Sequence, residues 1–220
     1  MKTSFQFDIN SSLIKTFFPE ERIKDKYKII EILLEACRYM LYNKGLATAR
    51  SPYKMILHKD KMSRLLFVGE NKIYSIAFPF NISQITSDVI LINYKNRFDI
   101  DSQNISILLS LLKSPTIISE DCLEFIDPIT NYPQNLWSTL RDLLILEDGY
   151  IRYDKDEVGF EKAKTDGHEH RHPLNHIDIF YTNQATFKLG LKQEYTNDDL
   201  IDLMDRNTDS KYLNSRQHVV

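Results

Sequence analysis

Glycine is scarce in this chain of 220 residues: six are present, at positions 45, 69, 149, 159, 167 and 190. The nearest two, Gly159 and Gly167, lie eight positions apart. That excludes both the G-x-G-x-x-G fingerprint and the G-x-x-x-x-G-K phosphate loop. Such loops need glycine so that backbone N–H groups can approach phosphate with no Cβ in the way. A dinucleotide enzyme or a P-loop NTPase is therefore not expected. Cysteine is also scarce. Cys37 and Cys122 form no C-x-x-C pair, which excludes a zinc ribbon and a thioredoxin-like motif. Both read as buried free thiols of a reducing compartment. No apolar run approaches the roughly 20 residues that span a bilayer. The longest, around Ile29–Leu34 and Leu143–Leu146, have the size of core helices. Residues 1–10 carry no basic segment followed by an apolar one, so no signal peptide is expected and the expected location is the cytoplasm. Neither G-x-S-x-G nor H-E-x-x-H occurs.

What is present is an ordinary globular composition, 42% hydrophobic and 27% charged, with a net charge of -3. Isoleucine outnumbers valine 25 to 5, and Lys, Asn, Tyr and Phe are abundant. These residues have A/T-rich codons and point to a low-GC bacterial or mobile-element gene. Charge is uneven. Residues 1–64 hold 13 basic and 7 acidic side chains (+6), and residues 65–220 hold 15 and 24 (-9). The basic part suits nucleic acid or an acidic partner, or simply a solvated helix face.

Ile23, Tyr27, Ile30, Leu34, Cys37 and Leu41 recur at alternating spacings of four and three, the stripe of an amphipathic core helix. Pro19, Glu20 and Glu21 suit its start, and Gly45 its end. Residues 53–58, 64–68 and 72–78 read as strands, with a hairpin turn at Gly69-Glu70-Asn71. Asp88–Tyr94 is a buried strand or a helix end. Ser102 suits an N-cap for a helix to about Lys113, ended by Pro115, and Gln134–Leu146 reads as another helix. Lys155–Arg171 is polar and reads as a long loop. Thr196 and Asp199 suit a capping box. The expected fold is α+β. An N-terminal helix and β-meander with further helices (1–148) precede a C-terminal antiparallel sheet with a polar loop and a terminal helix (149–220).

One polar constellation stands out. His168, His170, His172 and His176 fall within nine residues, flanked by Asp166, Glu169 and Asp178. Residues 175–181 and 186–192 each alternate polar and apolar, as half-buried strands do. A three-residue loop at 183–185 would pair Thr182 with Thr186, Phe180 with Lys188, and Asp178 with Gly190. Ile177, Ile179, Tyr181, Phe187, Leu189 and Leu191 then share an apolar face. His176, Asp178, Phe180, Lys188 and Lys192 share the other. If Tyr150–Asp154 joins this sheet, Arg152 and Asp154 line the same polar face. Such a face is either solvent-facing or a site. As a site, His176, Asp178 and Lys188 are the catalytic candidates, because an imidazole titrates near neutrality and a carboxylate can orient it. Arg152 and Lys192 are the candidates for holding substrate phosphate. His172, His176 and Asp178 are candidate ligands of a divalent metal ion. The chemistry that suits these groups is phosphodiester hydrolysis, as in a phosphodiesterase or nuclease, or nucleotide binding.

The block from His172-Pro173-Leu174-Asn175-His176-Ile177-Asp178 to Lys188-Leu189-Gly190-Leu191, preceded by Tyr150–Asp154, resembles the C-terminal signature of an uncharacterised family of bacterial proteins. The resemblance covers about 40 residues. It implies an accessory gene of a mobile or antiphage-defence island, acting with a protein partner or on nucleic acid, and transfers no catalytic residue. Two expectations follow. One is a bacterial cytoplasmic factor of nucleic-acid metabolism or antiphage defence with a phosphodiester-hydrolysing or nucleotide-binding site. The other is a non-catalytic accessory subunit that docks a partner protein, or a homo-oligomer, through its first long helix or its polar sheet face.

Overall fold

The computed structural model describes residues 3–23, 25–43, 51–86, 89–114, 132–180, 186–205, 207–209 and 211. In chain order the elements are β1 (Thr3–Asp8), a 3-10 turn running into the short α1 (Ile14–Phe17), α2 (Lys26–Tyr42), β2 (Lys54–Lys59), β3 (Ser63–Val68) and β4 (Lys72–Ala77). There follow β5 (Asn81–Thr86), β6 (Val89–Tyr94), β7 (Phe98–Asp99), α3 (Ser102–Leu112) and α4 (Gln134–Ile145). The last part holds β8 (Ile151–Lys155), α5 (Glu157–Thr165), β9 (Asn175–Phe180), β10 (Thr186–Gly190) and α6 (Asn197–Met204). This is the expected α+β class.

Among the described residues, seven strands form one sheet in the order β1-β2-β3-β4-β8-β9-β10, every pair antiparallel. The order is chain order, so the sheet is a meander interrupted once. Between β4 and β8 the chain departs to build the small sheet β5-β6-β7 and helices α3 and α4. It returns to pair Ile73 with Tyr153 and Tyr74 with Arg152. The C-terminal strands thus extend the sheet begun by the N-terminal meander.

Successive side chains point to opposite faces of a strand. Met55, Leu57, Leu65, Phe67, Tyr74 and Ile76 meet one large core with Ile30, Leu34, Cys37 and Met40 of α2, and with residues of α3 and α4. Ile56, Leu66, Ile73, Tyr153 and Ile177 pack on the other face, where Leu200 of α6 covers them. Helix α2 is the centre of the large core, with nine buried residues. It begins at Lys26, later than Pro19 suggests. The Asp25 side chain accepts the Lys28 N–H at 2.8 Å and satisfies a helix-end donor, which proline cannot do. Likewise Asp101, one residue before Ser102, caps α3 through Asn104 N–H at 2.7 Å. The expected stops at Gly45 and Pro115 lie outside the described residues.

The polar stretch after Lys155 is not a loop. It holds α5 and a 3-10 turn (Glu169–Arg171). Asp156 caps α5 through Gly159 N–H at 2.8 Å, and Lys162 and Lys164 sit in its last turn, where cations suit the helix dipole. The helix buries no residue, so it leaves no apolar period in the sequence. Strands β1, β5 and β7 and the short α1 are further elements that the sequence pattern does not announce. The hairpin at Gly69 is formed, with its N–H on the Lys72 carbonyl at 2.8 Å, and residues 89–94 are a strand. Thr196 and Asp199 form a reciprocal capping box on α6. Cys37 is buried, and burial pushes its thiol up; Cys122 lies outside the described residues. No described helix is long and apolar enough to cross a membrane.

Candidate functional site

Strands β8, β9 and β10 bring the polar constellation together. Arg152 pairs with Asp178 and Asp154 with His176 across β8 and β9. Across β9 and β10, Lys188 pairs with Asp178, Gly190 with His176 and Thr186 with Phe180. This register differs by two residues from the one expected. The chain uses positions 181–185 between the paired ends instead of 183–185. A shift of two keeps every side chain on its face, so the alternation predicts the faces and cannot tell the two registers apart. Thr182, Tyr181 and the loop lie outside the described residues.

The polar face is not solvated. It continues the large core face of the meander, and its groups are enclosed: His176 is 0%, Asp178 4% and Asp154 8% exposed. The row of rings Phe67, Tyr74, Tyr150 and Phe180, with centroids 4.7 to 5.8 Å apart, leads from the apolar core to this cluster. Arg152 lies 5.2 Å from the Phe180 centroid, and Arg22 lies 4.4 Å from it.

Buried charges survive only when paired. Arg152 donates from Nε to Asp154 Oδ2 at 2.6 Å and from Nη2 to Asp178 Oδ2 at 2.5 Å. Burial works against the guanidinium charge, but Asp154, Tyr150 and Asp178 outweigh it, and Arg152 is held protonated more firmly than usual. Burial pushes the Tyr150 hydroxyl up to about 12. Lys188 Nζ stands 3.1 Å from Asp178 Oδ1 and 2.5 Å from His176 Nε2. Asp178 Oδ1 nevertheless accepts no well-directed hydrogen bond: the ammonium is close enough for an ion pair, without hydrogen-bond geometry.

The His176 tautomer follows from its neighbours. Nδ1 lies 2.7 Å from the Pro173 carbonyl, which can only accept, so Nδ1 carries the proton. Nε2 then presents its lone pair to Lys188 and lies 3.9 Å from Asp154 Oδ2 and 3.8 Å from Asp178 Oδ1. Burial, then Lys188, lowers its pKa, and the ring is neutral at pH 7. Gly190 makes this geometry possible. A Cβ there would come 2.9 Å from Pro173 Cγ, so the missing side chain admits the proline whose carbonyl holds the imidazole.

His172 does not join His176 and Asp178 as a ligand. Its Nε2 turns to Asp156 Oδ2 at 2.7 Å, while its ring packs edge-on against that of His176 with centroids 5.1 Å apart. Gly159 leaves the room, since a Cβ there would come 2.5 Å from His172 Nε2. Burial opposes the Asp156 charge, yet the Gly159 N–H and His172 overcome it and hold the carboxyl below its usual range. Lys192 lies past the end of β10, exposed and apart from the cluster, and His168 and His170 are exposed too. The member left out of the expected metal set is Asp154. Among the described residues, Asp154, His176 and Asp178 are the one group of ligand type whose atoms all lie within 4.8 Å of one another. The alternation Arg152-Tyr153-Asp154 carried the signal, but only the β8–β9 pairing brings Asp154 to His176.

Chemically, the cluster holds a neutral imidazole with a directed lone pair, two carboxylates and two cations. Lys188 is its most exposed member, with a side chain 26% exposed, and Arg152 also lines a small cleft with Glu21, Arg22, Lys72 and Tyr150. Comparisons with protein-family models, curated proteins and solved structures return no match to this chain.

Proposed function

We propose that this chain hydrolyses phosphodiester bonds at the His176–Asp178–Lys188 cluster, as a cytoplasmic factor of bacterial nucleic-acid metabolism or antiphage defence. One observation carries the reading: the Nε2 lone pair of a buried, neutral His176 converges with Asp178, Lys188 and Arg152 in one enclosed place. An imidazole held neutral with Nδ1–H anchored is suited to take a proton from water once Lys188, which donates to Nε2, turns to a substrate phosphate. Lys188 and Arg152 offer positive charge to a phosphate oxygen, and Arg22 and Lys72, with one acid, Glu21, line the cleft beside Arg152. The setting rests on composition, since the abundant Ile, Lys, Asn, Tyr and Phe are residues with A/T-rich codons, and on the resemblance read from the His172–Leu191 block.

The accessory-subunit reading has fewer observations behind it. The polar sheet face is enclosed, and nine of the 17 residues of α2 are buried, so the surface left to that reading is the outer face of α2, where Tyr42 is exposed.

The test is hydrolysis of labelled single-stranded DNA, RNA and bis(4-nitrophenyl) phosphate by the wild type and by His176→Gln and Asp178→Asn. General acid–base groups contribute roughly 10²–10⁴ in rate, so each variant is expected to lose at least about a hundredfold. Melting curves run alongside separate lost chemistry from lost fold. Wild-type hydrolysis no faster than that of a folded His176→Gln variant on all three substrates overturns the proposal.

A further inference from the structure

Lys188 stands against two of the three members of a ligand set. Its ammonium sits 2.5 Å from His176 Nε2 and 3.1 Å from Asp178 Oδ1, and these two atoms with Asp154 Oδ2 form the Asp154–His176–Asp178 group. We propose that this group is a seat for a first-row divalent metal ion, Mn²⁺ or Zn²⁺, and that Lys188 is its built-in occupant, leaving when the metal enters.

Four observations carry it. The donors are one imidazole nitrogen and two carboxylates, a mixed set that suits these ions better than Mg²⁺ or Ca²⁺. The imidazole is already prepared: Nδ1–H is anchored on the Pro173 carbonyl, which aims the Nε2 lone pair inward, as second-sphere partners of metal-bound histidines do. Asp178 is 4% exposed, and its Oδ1 points into the cluster with no well-directed hydrogen bond. The spacing is that of groups held by cations through hydrogen bonds, His176 and Asp178 by Lys188 and Asp154 by Arg152. Hydrogen bonds run to about 2.9 Å, whereas Zn–N and Zn–O bonds are about 2.0–2.2 Å. The present 3.8 and 3.9 Å between His176 and the two carboxylates therefore contract when a metal replaces the lysine.

Charge decides that the lysine must leave. Asp154 and Asp178 carry two negative charges, and Arg152 and Lys188 carry two positive ones. A divalent ion entering beside both cations would leave a buried net charge of about +2, which a low-dielectric interior opposes strongly. Arg152 is fastened at both carboxylates and only 14% exposed. Lys188 stands on the end strand of the sheet, is 26% exposed, and can turn outward into water. Three protein ligands then leave open positions for water or a phosphate oxygen. This rests on the hydrolytic reading for purpose though not for geometry, and it reassigns two roles there: with a metal seated, His176 Nε2 would be a ligand and not the base, a metal-bound water would supply the nucleophile, and the displaced Lys188 would meet substrate from outside.

The test is titration of the full chain with Co²⁺, followed by its visible absorption, and with Mn²⁺ and Zn²⁺ followed by calorimetry. Lys188→Met removes the competing cation without touching a ligand, and is expected to bind at least tenfold more tightly than the wild type. Its melting temperature is expected to rise with added Zn²⁺ more than the wild type's does. Asp154→Asn in the Lys188→Met background should lose the Co²⁺ spectrum. Binding by Lys188→Met no tighter than the wild type's overturns the exchange. No Co²⁺ spectrum in folded Lys188→Met overturns the site. Hydrolysis that persists in chelator would leave the function standing and sink the metal seat. Metal binding without hydrolysis would do the reverse.

Discussion

At His176 a local hydrogen bond and a non-local pairing meet. The Pro173 carbonyl sets the tautomer, and Pro173 gains its place because Gly190 on the next strand has no side chain. Linkage gives the consequence for acid stability. The ordinary imidazole value near 6.5 is lowered in the folded protein by burial and by Lys188, so below about pH 6.5 the unfolded chain binds a proton that the folded one resists. The contribution of His176 is complete above that value and is lost as pH falls through the lowered one, by at most about 1.4 kcal/mol per pH unit. The melting temperature is expected to fall on acidification from pH 7 to 5.5. An ¹⁵N-detected titration should put the His176 midpoint below the ordinary imidazole value, with the proton of the neutral ring on Nδ1 at pH 7.5. A midpoint above 6.5 would refute the burial argument, and a neutral ring protonated at Nε2 would refute the tautomer argument. At this scale the candidates His176, Asp178, Lys188 and Arg152 were legible, because period-two alternation puts them on one face whatever the register. Asp154 replaced His172 because ligand sets depend on which strands are neighbours.

The elements were legible wherever burial imposes a period. Helix α2 carries its stripe openly, whereas α5 buries nothing and is held by Asp156 at one end and lysines at the other. Capping chemistry, not periodicity, locates the ends. Pro19 and Ser102 are plausible starts by type, but Asp25 and Asp101 hold the N–H groups. Removing such a cap costs about 1 kcal/mol. Asp25→Ala is expected to lower stability by about that much in urea titration, with an unchanged m-value, whereas Glu20→Ala, at an exposed pair with Lys15, should change it by less than about 0.5 kcal/mol. Equal losses in the two would place the helix start back at Pro19.

For the molecule as a whole, the decisive contact is β4 with β8. It joins the late strands to the early meander and lays the polar cluster against the end of an aromatic row, under cover rather than in water. On the opposite face Leu200 of α6, fully buried, closes the smaller core over Ile177 and Tyr153. Truncating a buried leucine costs about 2–5 kcal/mol, so Leu200→Ala should destabilise by that range in denaturant titration. It should also speed amide exchange in β9 more than in β2. Uniform acceleration across both strands would mean that α6 secures the whole sheet and not this part of it.

The sequence by itself determined the α+β class, the main helix, the hairpin at Gly69, the capping box on α6 and the two faces of the late strands. Each follows from spacing along the chain, which hydrogen-bond geometry and the pleat translate directly into structure. Tertiary structure alone decided the β9–β10 register, the β4–β8 neighbour relation, the enclosure of the polar face and the exchange of His172 for Asp154. Those depend on packing between segments far apart in sequence: a two-residue slip leaves every face unchanged, and whether a polar face meets water or core is set by what folds over it.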